Sequence, residues 1–245
     1  MENEDKIKTE TIFYENENEI KNNIVIQIND NIIPFSYFYD FKKPGKYIIK
    51  YIFKNLLTKT VCFFADCTLL KKVDLSNFNT EKVTNINSMF TGCKLLNEIN
   101  LTNINTKNVT DMGCMFYGCK SLITIDVSKF NTEKVTNIGG IFRLCESLKN
   151  LDLSKFNTKN VTDMCYMFYG CALLKDINIK SFIVTKNVDC TCMFDKCDSF
   201  PDAGIVLNRT IYEYYNLIDK NKVINLSMKQ DINEYNNKIN YKFIK

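Results

Sequence analysis

Eleven cysteines and not one histidine set the first chemical question. Cysteine thiolates bind metals, carry redox chemistry and pair as disulfides. Cys190, Cys192 and Cys197 stand close enough in sequence to be weighed as ligands. Their Cys-x-Cys-x₄-Cys spacing lacks a fourth ligand and lacks the paired spacing of a zinc knuckle. Ser-His-Asp and Cys-His catalysis, and Cys₂His₂ zinc, need an imidazole that this chain does not have. Phosphate-cradling loops, dinucleotide fingerprints and nucleophile elbows are also missing. The expectation is a chain with no catalytic residues, no bound metal and no cofactor.

Spacing gives the cysteines a different meaning. Cys67, Cys93, Cys119, Cys145, Cys171 and Cys197 are each 26 residues apart. Around them run Phe64, Phe90, Phe116, Phe142, Phe168 and Phe194, and after them Leu70, Leu96, Leu122, Leu148 and Leu174. An Asn-Thr pair recurs at 79–80, 105–106, 131–132 and 157–158, and a Val-Thr pair at 83–84, 109–110, 135–136 and 161–162. So many coincident slots define an internal repeat. Cys62, Cys114 and Cys192 share a second slot, and Cys190 replaces the Met of Met112 and Met164. The cysteines therefore read as buried thiols that act as small hydrophobes in a repeated core.

Each unit must supply the elements that hold these slots. Leu151 and Leu153 alternate with polar Asp152 and Ser154, the mark of a half-buried strand. Met164, Met167, Phe168 and Cys171 fall at i, i+3, i+4 and i+7, which predicts a short helix with Thr162 at its N-cap. One unit cannot bury both its strand and its helix stripe. Stacked units share a continuous core, with successive strands about 4.8 Å apart.

The string Leu151-Asp-Leu-Ser-Lys-Phe-Asn-Thr-Lys-Asn-Val-Thr-Asp-Met-Cys-Tyr-Met-Phe-Tyr-Gly-Cys171 closely resembles the repeat of bacterial surface proteins, the BspA-like branch of the leucine-rich repeats. The resemblance covers more than half of the chain. It implies a nonenzymatic, curved, right-handed α/β solenoid of strand-turn-short-helix units, with a role in protein–protein interaction or adhesion. Members of that branch are often exported, whereas Met1-Glu2-Asn3-Glu4-Asp5-Lys6 lacks the basic start and apolar run of a secretory signal. The longest nearly apolar stretch, Tyr47 to Phe53, is too short to span a bilayer. The sequence as written thus carries no export address, and no compartment follows from it.

Four segments result. Residues 1–22 are polar and expected to fray, with Thr9 to Tyr14 able to pair as a strand. Residues 23–58 read as a small β cap, with turns at Asn29-Asp30-Asn31 and Pro44-Gly45. Residues 59–203 are the repeat, and 204–245 the C-terminal cap and tail. In the last unit Thr185 to Val188 slip by one residue before Met193-Phe194 return to register, as terminal units often degenerate.

The partner-binding candidates lie on the strand face. Asp74, Asn100, Asp126, Asp152 and Asn178 should form one column. Ser76, Thr102, Ser128 and Ser154 form the next, and Lys129 and Lys155 stand at the strand ends. Net charge is +4, almost all the cations are Lys, and Arg143 and Arg209 are the only arginines. Specific nucleic-acid readout relies on arginine forks, so the expected partner is a protein or another macromolecular surface. A structural or self-assembly element, and a Cys-based metal- or redox-responsive protein, are the alternatives.

Overall fold

The computed structural model describes residues 16–36, 42–43, 47–185 and 187–199. Helix α1 (Glu17–Asn23) leads into a three-stranded antiparallel sheet of β1 (Ile24–Ile28), β2 (Asn31–Pro34) and β3 (Ile49–Phe53), in the order β2-β1-β3. Asn29 and Asp30 join β1 to β2. Asn29 has φ 51°, a left-handed angle that Asn tolerates in tight hairpins. Ile24, Ile26 and Ile28 alternate inward along β1.

Part of the polar segment expected to fray is α1. It carries one apolar anchor, Ile20, which is buried. The other anchors are polar. The Asn16 amide donates to the Val61 carbonyl at 3.3 Å, and the Glu19 carboxylate accepts from the Thr58 N–H at 2.6 Å and its hydroxyl at 3.0 Å. The strand expected at Thr9 to Tyr14 and the segment 204–245 lie outside the described residues. The cap sheet meets the repeat through aromatic rings: Tyr51 lies 5.6 Å from Phe63 and 5.7 Å from Phe64, and Phe53 lies 5.0 Å from Phe78.

The repeat units stack in parallel with a constant offset. Bridges join Lys59 to Asn85, Asn85 to Asp111, Asp111 to Asn137, Asn137 to Asp163, and Asp163 to Asp189. The stretch expected to be a short helix is instead a run of tight turns. Odd and even residues divide the work. Met164, Tyr166, Phe168 and Gly170 donate their N–H groups to Asp189, Thr191, Met193 and Asp195 of the next unit at 2.7–2.9 Å. Met167, Tyr169 and Cys171 donate three residues back, to Met164, Tyr166 and Phe168, at 3.0–3.3 Å. A helix is ruled out by two left-handed residues per unit, such as Tyr166 (φ 54°) and Gly170 (φ 72°). Thr162 caps no helix; its hydroxyl donates to the Thr136 carbonyl of the preceding unit at 3.3 Å. Leu144 takes the position that Gly170 holds one unit on. Its Cδ2 stands where it would be 2.4 Å from a Cβ on Gly170, so bulk in one unit occupies the room glycine leaves in the next.

The opposite side of each unit pairs less completely. β4 (Lys72–Asp74) pairs in parallel with β5 (Glu98–Asn100), and β6 (Asn150–Asp152) with β7 (Asp176–Asn178). Between them Thr124, Ile125 and Asp126, expected to supply a strand, make no backbone hydrogen bond to a neighbouring unit among the described residues.

Columns of identical side chains fill the interior. Phe90, Phe116, Phe142 and Phe168 are fully buried, with neighbouring centroids 5.7–6.1 Å apart and planes within 7° of parallel. Such offset stacks are favourable beyond their burial alone. Thr80, Thr106, Thr132 and Thr158 form a second, polar column. Each hydroxyl donates to a carbonyl of the next unit at 2.9–3.1 Å and accepts an N–H from the same residue at 2.6–2.7 Å. These threonines satisfy backbone groups where no strand ladder does.

All eleven cysteines are free thiols. The periodic ones do more than fill space: Cys93, Cys119, Cys145, Cys171 and Cys197 donate to the Phe carbonyls of the preceding units at 3.0–3.3 Å. Cys67, expected to be buried with them, is exposed, because it heads the series and no earlier unit of the same kind precedes it. Burial pushes Cys119 and Cys197 up to about 12, and Cys145 and Cys171 well above the ordinary thiol value. In the unfolded chain these thiols ionise near 9.0. Above that pH the folded state holds more protons than the unfolded one, so stability should be complete below pH 9 and fall as pH rises toward 12. Melting curves under reducing conditions between pH 8 and pH 10.5 test this. The slope should be shallower for Cys119→Ala, and equal slopes would refute the assignment.

Candidate functional site

Alternation along the short strands decides which side chains face outward. In β6, Leu151 points into the core, and Asn150 and Asp152 point to solvent. In β7, Ile177 is buried and Asp176 is exposed. The parallel register sets Asp152 beside Asn178, and Asp74 beside Asn100. The predicted column is therefore assembled as two pairs, with exposed Asp126 between them off any ladder.

Each member of this column also bonds its own backbone. The Oδ1 atoms of Asp74, Asp126 and Asp152 accept from the N–H groups of Ser76, Ser128 and Ser154 at 2.9 Å. Asn100 Oδ1 accepts from the Thr102 N–H at 3.1 Å and its hydroxyl at 2.8 Å, and Asn178 Oδ1 from the Lys180 N–H at 3.4 Å. These side-chain turns end the strands. Hydrogen bonds from Ser76, Ser128 and Ser154 hold the three Asp carboxyls below the usual carboxylate range, with Lys129 and Lys155 adding a smaller pull on Asp126 and Asp152. The face thus presents ionised carboxylates. Ser76 and Ser154 are partly covered, and Thr102, Ser128, Lys129 and Lys155 are exposed.

A shallow depression of about 350 Å³ opens on β6 and β7. Its apolar members are Leu151 and Ile177. Asn150, Asp152, Asp176, Asn178 and Lys180 supply the polar ones. Two of the predicted residues, Asp152 and Asn178, line it; the other nine do not. Asn150 and Asp176 were missed by sequence reasoning. The signal was present, since they stand two residues before Asp152 and Asn178 in the outward column of Lys72, Glu98 and Thr124. In that column Lys72 and Glu98 form an exposed ion pair.

Cys190, Cys192 and Cys197 do not converge on a common point. Among the described residues, the set of three ligand-type atoms within 4.8 Å of one another is Asp163, Cys165 and Asp189. Asp163 and Asp189 are committed to turn bonds with the N–H groups of Cys165 and Thr191 at 2.9 Å. No described helix is long and apolar enough to cross a membrane.

A family model matches the chain in four overlapping stretches, residues 36–126, 58–150, 96–208 and 123–235. Its description is Mycoplasma protein of unknown function, DUF285. The overlap is what a repeated unit produces when one model fits it in several registers. No curated protein and no solved structure matches the chain.

Proposed function

The chain belongs to this repeat-containing DUF285 family, and from that premise we propose a nonenzymatic binding protein whose strand face docks a protein partner. The stacked units are read as a leucine-rich-repeat solenoid of the BspA-like kind, in which adhesion or protein–protein interaction is the role. One observation carries the reading: outward carboxylates, amides and a lysine from consecutive units surround a depression of about 350 Å³ on the strand face. Such a concave set of hydrogen-bonding groups can meet the polar contacts of a protein interface. The carboxylates are kept ionised by their own turns, so the face offers fixed negative charge interleaved with Lys129, Lys155 and Lys180.

The test uses a variant that spares the turns. Asp126→Asn and Asp152→Asn keep the Oδ1 acceptor and remove the charge, and Lys129→Glu, Lys155→Glu, Asp176→Lys and Lys180→Glu reverse the rest. Immobilised wild-type and variant chains are compared for the proteins they retain from an extract of the source cells. A specific partner should bind the variant at least about tenfold more weakly, with the melting temperature within about 2 °C of wild type. Equal retention by both chains would remove the strand face from consideration.

A further inference from the structure

Tyr117, Arg143 and Tyr169 occupy the same slot in three successive units, two residues before the periodic cysteine. The Arg143 guanidinium carbon lies 5.1 Å from the Tyr117 ring centroid and 5.3 Å from that of Tyr169. Tyr166, from the adjacent slot, closes in at 4.9 Å. Gly140 takes the slot of Tyr166 one unit earlier and leaves room there: a Cβ on it would sit 3.1 Å from Cys114 Sγ and 3.7 Å from Arg143 Cβ. The Arg143 guanidinium is thus held among three tyrosine rings on the turn side of the stack, and Lys196 Nζ lies 5.1 Å from the centroid of one of them, Tyr169.

Among the described residues the Arg143 guanidinium has no counter-charge. It makes neither a hydrogen bond nor an ion pair with any of them, and its Nε is buried without a partner. The residue remains partly exposed. Cation–π attraction contributes only about 0.5–2 kcal/mol per favourable contact and satisfies none of the guanidinium donors. With Nε enclosed, the two Nη groups are the donors that an incoming ligand can meet. Guanidinium forks select oxyanions, which they bind through paired hydrogen bonds. The neighbouring cations are already matched: Lys120 pairs with Glu146 at 2.7 Å, and Lys196, whose Nζ lies 5.1 Å from the Tyr169 ring centroid, faces Asp195 and Asp198, so Arg143 is the one positive charge of the cluster left unmatched among the described residues. That matches a monoanionic carboxylate better than a phosphate dianion. Tyr and Arg together are also the residues most enriched where protein interfaces concentrate their energy.

We propose that Arg143, Tyr117, Tyr166 and Tyr169 form a second docking site, separate from the strand face, for a Glu or Asp side chain of an acidic protein segment. The carboxylate accepts from the Nη edge, and the apolar stem of the side chain lies against the tyrosine rings.

The chain has no Trp, so its intrinsic emission comes from its 13 tyrosines, three of which are the rings of this cluster. A short, end-blocked oligoglutamate peptide is titrated into the full chain, followed by tyrosine emission and by the ¹⁵N shift of the Arg143 Nε–H. Its oligoglutamine counterpart and inorganic phosphate are the comparison probes. The expected result is saturable oligoglutamate binding, at least tenfold weaker for oligoglutamine, for phosphate and for Arg143→Gln. Arg143→Lys should recover only part of the loss. The strand-face variant should bind the peptide like wild type, so this site and that one fail or succeed separately. Equal binding by Arg143→Gln, absence of saturation, or saturation by phosphate alone would overturn the proposal. If Arg143→Gln lowers the melting temperature while no probe binds wild type, Arg143 is a packing residue and the site does not exist.

Discussion

Phe142→Ala should cost about 3–5 kcal/mol, the range for emptying a large aromatic site in a close-packed core. Phe142 is fully buried, with Phe116 at 5.7 Å on one side and Phe168 at 6.1 Å on the other. The usual relief is for neighbours to collapse into the hole. Here that route is closed, because backbone bonds of 2.7–3.1 Å between units fix their separation. Single domains have only about 5–15 kcal/mol in hand, so this change can consume much of the total. In a stacked array each unit leans on its neighbours, and a weak middle unit uncouples both halves. Denaturant unfolding of Phe142→Ala and Phe142→Leu measures the effect. The leucine variant should lose less than half as much. A cost below about 1 kcal/mol for Phe142→Ala would mean that the units can slide to close the cavity, contrary to the register described.

Thr132→Val should be nearly as damaging, although the two side chains have the same shape. The Thr132 hydroxyl donates to the Asn157 carbonyl at 3.1 Å and accepts from the Asn157 N–H at 2.7 Å. Valine removes both bonds and leaves both main-chain groups behind. Each lost bond is worth about 1 kcal/mol, and a stranded buried group costs about 1–3 kcal/mol. The expected loss is about 2–4 kcal/mol. Thr132→Ser keeps both bonds and loses one methyl group, so it should cost about 1 kcal/mol. The order Ser milder than Val is the decisive outcome in chemical denaturation. If Val proves the milder change, methyl packing and not hydrogen bonding explains the buried threonine column.

Much of the core was legible because stacking repeats the same environment. Phe142, Leu148 and the Cys145 slot recur at a fixed interval since each meets its own counterpart in the next unit. The predicted helix failed for a specific reason. Apolar residues at Met164, Met167, Phe168 and Cys171 satisfy a helical stripe, but two successive tight turns bury the same four side chains. The warning sign was Gly170, with Gly92 and Gly118 in the same slot. Residues such as Leu144 and Tyr166 hid it, because they adopt left-handed angles only under tertiary constraint. The thiol bonds were illegible for a similar reason: a buried Cys looks the same in sequence whether or not a carbonyl stands in front of it.

On the candidate face, column membership followed from spacing, and Asp152 and Asn178 did come together in register. The pairing of strands did not follow. Nothing in Thr124-Ile125-Asp126 announces that these residues stay off the ladder while their counterparts join it. The Arg143 cluster was equally hidden, since its residues come from three units and its significance rests on the absence of an ion pair to Arg143 among the described residues.

By itself, then, the sequence determined the period, the residues that face inward and the outward columns, because all three depend only on spacing along the chain. The tertiary structure alone decided which backbone groups bond within a unit and which bond to the next. It also decided which thiols and hydroxyls are donors, and that the Arg143 guanidinium has no partner among the described residues. Those depend on distances of about 3 Å between residues some 26 positions apart, and a one-dimensional pattern carries no information on that scale.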